Sequence, residues 1–149
     1  MRTRLIAFLW LVSIPGVTLA APPAPTPILP ERLTWVSPPT LPALHSAWLV
    51  GSESQTGLYL LRVKLAADGR IPPHTHPDDR LTTVLSGTLF VGFGATFEES
   101  RVVTIPAGAA YIAPARTPHF VWAKQGQVEY QEMGNGPTGT VFTPAEPTR

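Results

Sequence analysis

The sequence predicts an all-β fold, a barrel or sandwich of about eight short antiparallel strands. Three observations carry that expectation. Apolar runs of four to eight residues recur at regular spacing from about residue 43 onward. Twelve glycines and eighteen prolines in 149 residues interrupt the chain too often for long helices. The one stretch that suits a helical turn, Ala95 to Ser100, is too short to pack as a layer.

Taken in order, Leu58 to Leu65 places Leu61, Val63 and Leu65 on one face and Arg62 and Lys64 on the other, the alternation of a half-buried strand. Ala67-Asp68-Gly69 turns the chain. An extended segment then runs from Ile71-Pro72-Pro73 into His74 and His76. Leu81 to Leu85 and Thr88 to Phe93 flank Ser86-Gly87 as an expected hairpin. Arg101 to Ile105, Ala109 to Ala113, His119 to Ala123 and Gln127 to Met133 follow, most of them separated by Gly or Pro signals. Phe90, Phe93, Tyr111, Trp122 and Tyr130 are expected to fill the core or an interface.

Composition narrows the function. Eleven basic and ten acidic side chains give a net charge of +1, without the basic excess that a nucleic-acid surface needs. Charged residues make up only 14% and hydrophobic ones 44%, which excludes disorder of the whole chain. Cysteine is absent, so disulfides, thiolate metal sites and cysteine nucleophiles are ruled out. Any metal must be held by histidine, carboxylate or backbone oxygen. No nucleophile elbow, phosphate-binding glycine loop or nucleotide fingerprint is present.

Residues 1–20 read as a secretory signal peptide. Arg2 and Arg4 precede the apolar run Leu5 to Ile14, which is too short to span a bilayer, and Thr18-Leu19-Ala20 supplies small residues before a cut. The expected location is periplasmic or secreted, with no stable membrane insertion after cleavage. Residues 21–42 form a proline-rich arm, read as a spacer or a strap across the domain surface, with Trp35-Val36 able to dock as one edge strand. The folded domain is placed at 43–149.

His45, His74, His76 and His119 are the four histidines. On an extended chain His74 and His76 face the same side, where two imidazoles can meet one ion. His119 lies in a separate expected strand behind Pro114 and Pro118 and can supply a third ligand. His45, placed before the first strand, has no spaced partner and reads as a surface residue. Glu98 and Glu99 read as a solvated loop. Glu129 shares a face with Gln131 opposite Val128 and Tyr130, and is a candidate for supporting the site.

The segment from Gly69 through His74, His76 and Arg80 to Gly87 resembles the first motif of the cupin superfamily, and Gly108 through Pro114 and Pro118 to His119 resembles the second. The resemblance covers residues 58–133. It implies a small antiparallel β-barrel or jelly roll with the ligand histidines pointing inward and with turn glycines at Gly87 and Gly108. Two positions depart from the pattern. The family's glutamate ligand falls where this chain has Arg80, which has no lone pair to give a metal, and a family glycine falls at Arg116, so a second arginine is expected near the mouth. Three arrangements stay open: a three-histidine site with Arg80 turned away, a site in which Asp78 or Asp79 replaces the carboxylate, or no metal at all. Arg80 either orients a ligand anion by a paired hydrogen bond or forms an ion pair with Asp78 or Asp79. Three imidazoles suit Fe, Zn, Cu or Ni. The resemblance thus implies a metal-dependent oxidoreductase, dioxygenase-like, or an isomerase acting on a small anionic molecule. The alternative is a metal-free binding module for a ligand or partner. Exposed strand edges and the arm leave room for a homodimer.

Overall fold

The computed structural model describes residues 24–144, so the signal-peptide reading and the start of the arm lie outside the described residues. Ten strands follow one another: β1 (Leu44–Val50), β2 (Gly57–Leu65), β3 (Arg70–Thr75), β4 (Arg80–Ser86), β5 (Thr88–Phe93), β6 (Val103–Pro106), β7 (Ala110–Ala113), β8 (His119–Trp122), β9 (Val128–Gly136) and β10 (Val141–Phe142). They pair antiparallel throughout, in two five-stranded sheets of order β1-β2-β9-β4-β7 and β10-β3-β8-β5-β6. The expected all-β class is what the chain adopts. Its form is a two-sheet jelly roll, with no pairing that joins the sheets into one closed barrel.

The alternation read in the sequence sets the inner faces. Val63 and Leu65 of β2 meet Val84, Val91, Val121, Val128 and Tyr130 in one buried cluster, while Arg62 and Lys64 point outward beside Glu129. Phe90, Trp122 and Tyr130 are buried and Tyr111 packs against the cluster, but Phe93 is 40% exposed.

Several expectations need correction. Leu81–Leu85 and Thr88–Phe93 do not pair as a hairpin: β4 and β5 belong to different sheets. Gly87, at φ +75°, swings the chain from one sheet to the other, and a Cβ there would meet the Gln127 carbonyl at 2.5 Å. The turn signal was legible, but a turn between sheets and a turn within one use the same residues. His45 lies inside a strand, β1, whose alternation is blurred because the arm covers its edge through the Val36–Ser46 bridge. Arg101 closes a 3-10 turn, Glu99–Arg101, and β6 starts only at Val103.

The arm is a strap where it is described. Trp35 lies over the Lys64 ammonium at 4.3 Å, Val36 exchanges both backbone hydrogen bonds with Ser46 at 2.8 and 2.9 Å, and Leu41 packs against the core. Among the described residues, no helix is long and apolar enough to cross a membrane.

Candidate metal centre

Two local features bring the histidines together. Pro72 and Pro73 give β3 no N–H donors, and the β3–β8 register shifts between Ile71 and His74, as a bulge in a paired strand does. Past the shift, His74 stands opposite His119, the first residue of β8. His76 follows just beyond β3, where its carbonyl accepts a 2.7 Å hydrogen bond from Arg116 N. Arg116 sits at φ +58°, so the glycine-like backbone is kept although the residue has changed. Its side chain is exposed and does not line the cavity.

The three imidazoles are 2–5% exposed. Their ring centroids lie 4.3 Å (His74–His119), 4.8 Å (His74–His76) and 5.1 Å (His76–His119) apart. Each Nδ1 donates to a backbone carbonyl: His74 to Pro72 O at 2.8 Å, His76 to Gly139 O at 2.7 Å, His119 to Thr117 O at 3.0 Å. A carbonyl only accepts, so these bonds put the proton on Nδ1 and leave every Nε2 with a free lone pair. His76 Nε2 is fully buried and has no partner among the described residues. One ring nitrogen from each residue lies within 4.8 Å of the others, where imidazoles shared by one ion would each stand at about 2.0–2.1 Å from it.

Protonation does not compete for those lone pairs near neutrality. Burial, and then the neighbouring His119 imidazole, push His74 down to about 3. Burial and the Arg80 guanidinium push His76 down to about 3, and burial also lowers His119.

Arg80 points inward, buried at 5% exposure. Its partner is neither Asp78 nor Asp79. Nη1 donates to Glu132 Oε2 at 2.8 Å, and Nη2 donates to Thr138 Oγ1 at 2.8 Å and Gly139 O at 3.2 Å. The Gly139 carbonyl therefore receives both Arg80 and His76. Asp78 accepts from the Tyr59 hydroxyl at 2.6 Å and from Thr138 Oγ1 at 2.5 Å, and Asp79 accepts from Ala115 N at 2.7 Å. Neither carboxylate joins the imidazole cluster.

Glu129 faces outward, 3.7 Å from Arg62 and 3.9 Å from Lys64. The carboxylate that reaches the interior is Glu132, which the sequence reading missed. Val128, Tyr130 and Glu132 alternate on the buried face of β9, so an inward choice for Tyr130 would have found it.

His74, His76, Arg80 and Glu132 border a cavity of about 250 Å³. Leu41 of the arm, Leu44, Val63, Ile71 and Phe142 supply apolar wall, and the Phe142 ring lies 5.8 Å from that of His74.

Residues 61–132 match the family model described as "Cupin domain". Germin-like protein 3-1 of Oryza sativa subsp. japonica is 37% identical over 78 residues, 52% of this chain and 34% of the relative. The chain spans 34% to 41% of the length of relatives of this germin-like kind. The polyketide cyclase RemF from Streptomyces resistomycificus shares the fold at a TM-score of 0.64 and 17% identity, over 83% of this chain and 89% of that one. An oxalate oxidase structure aligns at a TM-score of 0.50 and 26% identity, over 58% of this chain and 46% of that one.

Proposed function

The chain carries a cupin domain at residues 61–132, and from that premise we propose that Nε2 of His74, His76 and His119 hold a divalent transition ion, Fe, Zn, Cu or Ni, that serves the binding and turnover of a small anionic molecule. The observation that carries the proposal is the set of three Nδ1–carbonyl hydrogen bonds, which leave the Nε2 lone pairs free on three imidazoles that each bring a ring nitrogen within 4.8 Å of the others, that of His76 being buried without a partner among the described residues. When bound, such an ion supplies a Lewis-acid centre with open positions.

The donor set determines the charge of the ligand. Three neutral imidazoles leave the ion's two positive charges uncompensated, and Arg80 and Glu132 cancel each other across 2.8 Å. An anion offsets part of that charge in a site where a buried unpaired charge is costly. Arg80 then acts as a brace for Glu132 and Gly139 rather than as the group that captures the anion. The likeness to an oxalate oxidase supports oxidoreductase chemistry, with isomerisation as the other reaction class of the proposal. Export through residues 1–20 and a homodimer belong to the same proposal. For the dimer, Leu60, Met133, Leu81 and Ile112 align across β2, β9, β4 and β7 as an apolar row on the outer face.

Elemental analysis of untagged protein tests the site. The expected result is close to one ion per chain, lost in a His74→Ala/His76→Ala variant that stays folded. An ion retained by that variant would overturn the ligand set, and no ion under any loading condition would favour a metal-free binding module.

A further inference from the structure

The cavity is polar at one end and apolar beyond it. Two residues along β9, from Glu132 to Tyr130, and three along β3, from His74 to Ile71, the lining turns from charged or metal-ligating groups to hydrocarbon and an aromatic ring. Leu41, Leu44, Leu61 and Val63 continue the apolar wall. Three of the wall residues, Leu41 from the arm, Leu44 from β1 and Phe142 from β10, lie outside the matched residues 61–132. At about 30 Å³ per water, 250 Å³ holds a molecule of roughly eight non-hydrogen atoms.

Beyond the imidazoles, a second charged group on the ligand meets the hydroxyls of Thr40, Ser46 and Thr140 and the unpartnered Nε of Arg80, but no uncompensated cationic side chain. Against the Leu and Val walls it would lose its hydration without a partner. The Arg80 charge is already met by Glu132, and at the rim the exposed Glu53 carboxylate would repel it.

We infer that the site takes an anion with an apolar body of a few carbons, its charged group toward the imidazoles and its body against Leu41, Leu44 and Ile71. The position of the charged group rests on the proposed metal centre; the apolar body rests on the wall alone.

Isothermal titration of the full chain separates the two. Ion-loaded protein is titrated with formate, butanoate and hexanoate, and chelator-treated protein with butanol and hexanol. Each methylene that leaves water for the wall contributes a factor of about four, so hexanoate should bind about 15-fold tighter than butanoate, and hexanol should exceed butanol by a similar factor. Leu41→Ser should flatten the length dependence, and the wild-type series decides the matter even if that variant does not fold. Affinity that is flat with chain length in both series overturns the inference. If hexanoate and hexanol bind alike and no ion is retained, the metal reading fails, while the slope with chain length still decides the apolar body.

Discussion

Replacing Arg80 by methionine keeps most of the side-chain volume and removes the charge. The side chains of the Arg80–Glu132 pair are 6% and 10% exposed, so solvent screening gives little relief, and the variant strands Glu132 in the interior without its cation. Breaking a buried pair from one side costs about 3–5 kcal/mol, a large part of the roughly 5–15 kcal/mol that holds a domain folded. With a urea m-value of about 2 kcal/mol/M, the midpoint should fall by roughly 1.5–2.5 M at unchanged m. Glu132→Leu should cost a comparable amount by stranding the guanidinium. The double variant Arg80→Met/Glu132→Leu should be more stable than either single one, because two apolar side chains in place of a buried pair avoid the desolvation cost altogether. Urea unfolding followed by tryptophan fluorescence reads all four proteins, and the coupling energy closes the cycle. Additive losses in the double variant, or a loss below about 1 kcal/mol for Arg80→Met, would refute the view that the two residues form one buried unit.

Other expectations follow from the same geometry. In chelator, stability should fall as pH drops below about 6.5: His74 and His76 stay neutral in the fold down to about 3 and take protons only when unfolded, so the unfolded state gains by up to about 1.4 kcal/mol per pH unit for each ring. Urea midpoints at pH 7.5, 6 and 5 check this, and equal midpoints would contradict it. Glu129→Gln should change stability by less than about 1 kcal/mol and leave the metal content unchanged, since its ion pairs are half-exposed and longer than 3.5 Å; a loss of metal would return Glu129 to the site. Gly92→Ala should destabilise by about 1–3 kcal/mol or more, because the new Cβ meets the ring of Phe120, itself fully buried. Thermal unfolding measures that loss.

Strand periodicity, turn residues and His-x-His with a distant third histidine are local facts, and they were enough for the all-β class and for the choice of His74, His76 and His119. Period-two alternation tells which residues of a strand share a face, as Val128, Tyr130 and Glu132 do. It does not tell which face is inner, which is how Glu129 was preferred to Glu132. Sheet membership is likewise nonlocal: Ser86-Gly87 reads the same whether it closes a hairpin or sends β5 to the opposite sheet. Arg80 shows the limit most clearly. Its identity excluded a fourth metal ligand at that position, but its partners, Glu132, Thr138 and Gly139, lie more than fifty residues away in the chain. The low-dielectric interior makes a buried guanidinium choose the carboxylate that packing delivers, and only the assembled sheets deliver Glu132 while the acids next to Arg80 in sequence are drawn off by Tyr59, Thr138 and Ala115.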